Sequence, residues 1–224
     1  GFMLHTSLAV SGPETRRVLG VINTEFWVRP ELTRRERKQT RQEILNDPAN
    51  ESLVWMDGVR RSEAALAGRA RTIHVMDAAA DGYNELAELE ELGVRAVIRA
   101  SHDRTVVNGE KNARLFDVLA EAEPLVQRDV PISARKKSPM PDKVHVPRAS
   151  RLARLHITAT PVTIQRSSRA SSEWPKTVSL TVVHVIEYEP PEGTVPVEWI
   201  LLTNLPVLTP ADAARVVDIY RVRW

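Results

Sequence analysis

TIHVMDAAADGYNELAELEELGVRAVIRA, residues 72–100, is the stretch that decides the fold class. Thr72 to Met76 reads as a short buried-type strand, Asp77 ends it, and Gly82 to Leu92 reads as a helix with Leu86, Leu89 and Leu92 supplying its apolar side. Gly93 stops that helix, because glycine accepts the left-handed backbone of a helix C-terminus without strain. Val94 to Ala100 follows as a second strand, close enough through a single helix to lie parallel to the first by a right-handed crossover. A strand, helix and parallel strand in succession put this part of the chain in the α/β class.

Outward from this unit the pattern changes twice. Toward the N-terminus, residues 2–10 and 16–28 are apolar and β-rich, and Ser11-Gly12-Pro13-Glu14 between them has the composition of a turn, so they read as an antiparallel hairpin. Arg29 to Asn50 is charged and Pro-bounded, a loop with a helical piece around Arg34 to Leu45. Glu51 to Arg69 is helical in period, with Leu53, Val54, Met56 and Leu66 as its apolar stripe and Asn50 as a possible N-cap. Toward the C-terminus, Leu115 to Ala122 reads as a brief helix, and from Val126 the chain turns to short β segments and prolines.

Within residues 126–196, Val178, Leu180, Val182, His184, Ile186 and Tyr188 alternate against Thr177, Ser179 and Thr181, the pattern of a half-buried strand, and Leu155, Ile157 and Ala159 alternate likewise. This section reads as an all-β insertion with a basic loop at 134–150. It separates the N-terminal part of the core, 1–125, from a closing strand and helix at 197–224. Pro190, Pro191 and Gly193 form the turn into the Trp199 strand.

With 224 residues, 42% of them hydrophobic, the chain can bury a sizeable core. No apolar run approaches the roughly 18 residues a membrane helix requires, and the opening GFMLHTSLAV lacks the basic start of a signal peptide, so the expected location is cytoplasmic, with no membrane partner. The absence of cysteine excludes disulfides and thiolate chemistry. A start at Gly1 directly on a strand-like run gives the expectation of a piece of a longer protein.

The formal charge of +2 conceals an asymmetry. Residues 128–176 hold eleven Lys and Arg, among them Arg135, Lys136 and Lys137, against the three acids Asp129, Asp142 and Glu173. A basic block in an otherwise mildly acidic chain is the footprint of phosphate contact, and equally that of a solvated loop.

Four other places can carry chemistry. Asp77 stands at the carboxyl end of a strand, where open α/β sheets present ligands, so it is a candidate metal ligand; ending the strand or capping the next turn is the plainer role, and Asp81 is the better cap for the helix at Gly82. Arg99 and His102, after the second parallel strand, are candidate phosphate contacts or a solvated strand end. Trp199 is a core tryptophan or a stacking platform for an unpaired base. Tyr220 and Arg223 are i and i+3 on the closing helix, where Arg can grip phosphate in a bidentate fork; alternatively Ala213, Val216, Val217 and Tyr220 are simply a core stripe. His5, His74, His145, His156 and His184 show no paired spacing of a zinc site.

Taken in order, these pieces resemble the catalytic domain of bacterial insertion-sequence DDE (cut-and-paste) transposases, in which a β insertion interrupts an RNase H-like core. The opening strands with His5 and with Glu25-Phe26-Trp27-Val28-Arg29-Pro30 resemble that family's second and third strands, and Glu51-Ser52-Leu53-Val54-Trp55 the start of its next helix. Thr72 to Asp81 resembles its Asp-bearing strand and Val97-Ile98-Arg99-Ala100-Ser101-His102 the strand after it. Glu198 to Thr203, through Tyr220, Arg223 and Trp224, resembles its closing strand and helix, where the family carries a Tyr-Arg-Glu-Lys signature.

The resemblance implies an α/β, RNase H-like mixed sheet whose first, central strand is missing, with an all-β insertion. It implies that Asp77 is the second catalytic, metal-binding aspartate, that Trp199 stacks on a flipped base, that Tyr220 and Arg223 are the Tyr-Arg of the signature, and that Arg99 lies near the transposon end. The family's Arg-Glu after its Asp is replaced here, Ala78, Ala79 and Ala80 standing before Asp81. The first catalytic Asp is expected before Gly1 and the Glu after Trp224, which leaves this chain catalytically dead and marginally stable. A full-length parent is expected to use Mg²⁺ (or Mn²⁺) to cleave and join strands by two-metal phosphoryl transfer, with double-stranded DNA at transposon ends as partner, as a homodimer on DNA associated with the bacterial nucleoid. The rival readings are a non-catalytic DNA-binding remnant and a β-rich interaction domain.

Overall fold

The computed structural model describes residues 2–28, 53–108, 111–136, 147–168 and 170–223. The helix expected over 34–45, the 137–146 part of the basic loop with Lys137, and Trp224 lie outside the described residues. The protein is mixed α/β. Its strands are β1 (Phe2–Val10), β2 (Val18–Val28), β3 (His74–Met76), β4 (Ala96–Arg99), β5 (Thr105–Asn108), β6 (Lys111–Arg114), β7 (Val126–Ile132), β8 (Arg151–Gln165), β9 (Thr177–Glu187) and β10 (Glu198–Thr203). The α-helices are α1 (Leu53–Leu66), α2 (Tyr83–Glu91), α3 (Leu115–Ala120) and α4 (Pro210–Tyr220).

The unit at 72–100 folds as its sequence dictates. β3 and β4 pair in parallel, Val75 opposite Val97, with α2 crossing between them. Gly93, at φ +63°, closes α2: its N–H donates to the Glu90 carbonyl and the Val94 N–H to that of Leu89. Leu86 and Leu89 go into the core, while Leu92, past the helix end, stays 45% exposed.

β4 then pairs antiparallel with β10, β10 with β9, and β9 with β8, so the order β3-β4-β10-β9-β8-β5-β6 forms one mixed sheet, with β7 also bonded to β8. Residues 126–196 therefore continue the sheet that holds β3 and β4. Alternate residues of each strand feed two cores: Ile98, Val182 and Leu202 face α1, α2 and α3, while Val97, Val183, Val185 and Leu201 face α4. Each such side chain stabilises the fold by roughly 1.5–3 kcal/mol on burial.

β9 departs from its expected pattern. Val178 and Val182 are buried as the alternation predicts, but beyond them Val183, Val185 and Glu187 are buried and Ile186 is 39% exposed. The reason is α4, whose Ala213, Val216 and Val217 cover the opposite face of the sheet, so burial in β9 changes faces where α4 begins to pack.

The hairpin forms as expected, with β2 beginning at Val18 rather than Arg16, and with register shifts between Ser7 and Leu8 and between Ala9 and Val10. It is a two-stranded sheet of its own, joined to the rest through α1. Gly58 of α1 is what permits the close approach: a Cβ there would lie 2.9 Å from the His5 ring. His5 packs edge-on against Trp55 at 4.9 Å, and burial pushes its imidazole pKa down against the pull of Glu25. Asn23 ties β2 to α1 by donating to the Gly58 carbonyl and the Ser62 hydroxyl. Among the described residues no helix is long and apolar enough to cross a membrane.

Candidate nucleic-acid interface

The carboxyl ends of β3 and β4 and the start of β10 meet at one corner of the sheet, and the end of α4 is brought to it. Thr209 caps α4 by accepting from the Asp212 N–H at 3.2 Å, Asp212 accepts in return from the Thr209 N–H at 2.9 Å, and Pro210 occupies the first turn. At its other end Asp218 accepts from Arg128 of β7 at 2.6 Å, and Arg221 donates to the Pro131 carbonyl. These contacts pin the helix end to β7. The last residues, Arg221–Arg223, tighten into a 3₁₀ turn. In that geometry i and i+3 eclipse, which sets the Arg223 guanidinium over the Tyr220 ring at 5.9 Å.

From there Arg223 reaches Asp77, donating from Nη2 to Oδ2 at 3.1 Å. The other Asp77 oxygen accepts from the Ala78 N–H at 2.7 Å, capping the short 3₁₀ turn Ala78–Ala80. Burial raises the Asp77 carboxyl pKa, but the hydrogen bonds from Arg223 and Ala78 and the charges of Arg223 and Arg99 outweigh it, so the group sits below its ordinary value.

Tyr220 is fully buried and packs against Trp199, ring centroids 5.8 Å apart. Its hydroxyl has no hydrogen-bond partner of good geometry among the described residues, although Arg99 is near enough to act on it; burial pushes its pKa up, against Arg99 and Arg223. Of the two readings of Tyr220, its burial matches the core stripe with Ala213, Val216 and Val217. Tyr220 is the floor on which Trp199 and Arg223 rest. Trp199 itself is half-buried on β10, opposite Val185. Arg99, the last residue of β4, is half-buried beside them, opposite Leu201.

His102 is held by a residue whose role was not legible. Asp81 is not the side-chain cap of α2; Gly82 is the cap residue, without a side-chain bond. The Asp81 carboxylate turns instead under the segment after β4 and is wholly inaccessible. It accepts from the Ser101 N–H at 2.6 Å, the His102 N–H at 3.0 Å, His102 Nδ1 at 3.1 Å and the Arg104 guanidinium. Because a carboxylate only accepts, His102 carries its proton on Nδ1, and Nε2 is left on a ring 66% exposed. The partners of Asp81 lie some twenty positions further along the chain, at no spacing that a sequence pattern marks.

The basic block is less free than its composition implies. Arg128 pairs with Asp218, Arg151 makes two bonds to buried Glu187, and Arg154 lies by Asp129 and Glu189. Asp218, Glu187 and Glu189 lie outside 128–176, which is why counting within the block overstates its field. Arg135 bridges Arg148 through paired backbone bonds, and both it and Lys136 are exposed. By the register of β10, β9 and β8 they lie at the same end of the sheet as Arg99 and Trp199.

The described residues do not fit a two-metal centre. Such a site requires clustered carboxylates. Asp77 has one oxygen on a backbone N–H and the other on Arg223, and no group of three or more His, Cys, Asp or Glu residues able to hold a metal occurs among the described residues. The chain matches no model of a known protein family.

Proposed function

We propose that this chain is the DNA-end-holding part of a transposase-like protein with an RNase H-like core. What carries the reading is the convergence of Arg99, Trp199 and Arg223 at the carboxyl ends of two parallel strands, with the exposed His102 on the adjoining segment. Open α/β sheets bind ligands at such ends. Arg99 and Arg223 bring guanidinium groups suited to phosphate, and the exposed His102 ring stands at the rim. Trp199, seated on Tyr220, offers an aromatic surface to a base leaving the stack at a frayed end. Lys136 and Arg135 extend the positive surface along the same sheet end.

The pairing of Asp77 with Arg223 favours a holding role for these residues over strand cleavage. Nicking and joining of strands by a transposase-like protein would be Mg²⁺-dependent phosphoryl transfer. Binding to a frayed or hairpin-ended duplex tests the reading: affinity should fall at least tenfold between about 50 and 200 mM salt. Trp199→Phe, which keeps a ring in the core, should weaken the frayed end more than a blunt duplex. Affinity indifferent to salt would end the nucleic-acid reading.

A further inference from the structure

The segments that lead into β3 and β4 meet at the amino ends of these parallel strands, the opposite end from Asp77. Gly68, at φ +73°, follows the end of α1, and Gly93 turns the chain out of α2. A cleft of about 430 Å³ lies there, lined by Arg71, Thr72, Val94 and Arg95 together with Glu63 of α1 and Leu92.

The backbone around this cleft is fixed. His74 donates its N–H to the Arg95 carbonyl at 2.8 Å. The Asn204 side chain clamps the chain on either side of Arg95, donating to the Val94 carbonyl at 2.7 Å and accepting from the Ala96 N–H at 2.8 Å. The carbonyls that end α2 are also taken, that of Leu89 by the Val94 N–H and that of Glu90 by the Gly93 N–H. Glu63, the acid among the lining residues, is committed as well: its Oε1 accepts from the Thr72 hydroxyl at 2.5 Å and bonds His74 Nε2 at 2.7 Å. Burial raises the Glu63 pKa, but these two bonds outweigh it and hold the carboxyl below its ordinary value.

The arginines have no such commitment. Arg71 and Arg95 are exposed, and neither guanidinium makes a hydrogen bond or ion pair among the described residues. Other exposed arginines meet an acid, as Arg60, Arg114 and Arg154 do. Two cations lining one cleft repel each other, and an anion held between them reverses the sign of that interaction. The planar fork of each guanidinium matches phosphate oxygens in a bidentate contact. The volume lies within the roughly 300–1,000 Å³ of small-molecule sites, and Leu92 and Val94 give it an apolar wall beside the charges.

We propose that this cleft binds a small anion bearing a diphosphate group, inorganic or on a nucleoside, with Arg71 and Arg95 gripping its oxygens. It is a different surface from the Asp77 corner and does not rest on the DNA-binding reading.

Isothermal titration calorimetry of the 224-residue chain with pyrophosphate and, separately, with ADP, both without divalent cations, tests this. Saturable one-site binding with a dissociation constant below about 1 mM is expected for at least one of the two probes. Tighter binding of ADP would place the nucleoside on the wall of Leu92 and Val94, whereas ADP no tighter than pyrophosphate would assign the site to the inorganic ion. Arg71→Gln and Arg95→Gln, both at exposed positions, should each weaken binding at least about tenfold with unchanged far-UV circular dichroism. Arg215→Gln, at an exposed position of α4 outside the cleft, should leave it unchanged. Absence of saturable binding up to about 10 mM of either probe overturns the proposal. So does binding that neither cleft variant weakens, or that Arg215→Gln weakens as much as they do.

Discussion

Asp77 and Asp81 bracket a single 3₁₀ turn and live in opposite environments. Asp81 is sealed from water and saturated, by two backbone N–H groups, an imidazole and a guanidinium. Asp77 remains 43% exposed and is held by one N–H and one arginine that itself reaches solvent. The comparison teaches where the fold has committed its charge. The Asp81 carboxylate is structural, fixing the segment after β4 and with it the pose of His102. The Asp77 pair is a contact at the rim between two partly exposed groups, of small worth to stability.

The largest expected effect follows from the sealed member. Asp81→Ala leaves two N–H groups without a partner and Arg104, 11% exposed, with only the main-chain carbonyl of residue 81, and should cost about 3–5 kcal/mol in urea unfolding. A loss below about 1 kcal/mol would erase the contrast with Asp77.

Glu187 offers a second sealed carboxylate for the same comparison. Arg151 lowers its pKa, helped by the Val197 N–H, and together these exceed the opposing effect of burial. A carboxyl with its folded pKa below the unfolded one contributes stability that is complete above the ordinary value near 4.5 and is lost as pH falls through the lower folded value. Glu187→Gln should therefore cost about 3–5 kcal/mol at pH 7. The deficit relative to wild type should shrink below pH 4.5, as thermal melts across pH will reveal.

At the open corner the effects on stability are smaller. Arg223→Ala removes an ion pair between partly exposed groups and should change stability by no more than about 1 kcal/mol. Tyr220→Phe deletes a buried hydroxyl without a good partner and should lie between neutral and about 1 kcal/mol stabilising. A large loss for either would mean that the corner is as rigidly committed as Asp81.

Much of this was legible in local pattern. Strand, helix and Gly93 in 72–100, the hairpin and the closing helix are all set by periodicity and by punctuating glycines and prolines, which act over a few residues. Long-range pairing was not legible. That β10 would enter between β4 and β9, that burial in β9 would switch faces under α4, and that Asp81 would serve residues 101–104 instead of α2 all depend on contacts between distant segments. Of the candidate site, Asp77, Arg99, Trp199 and Arg223 do meet at one corner, whereas Tyr220 lies beneath it and arginines of the basic block are neutralised by acids outside the block.

The most direct test of the proposed DNA-holding role of this corner is the salt dependence of binding to a frayed-end duplex, compared between the wild-type chain and Arg223→Ala. The account predicts a linear fall of log affinity with log salt, with Arg223→Ala weaker at every salt and its slope shallower by about one. Superimposable lines for the two proteins, or a flat wild-type line, would contradict it.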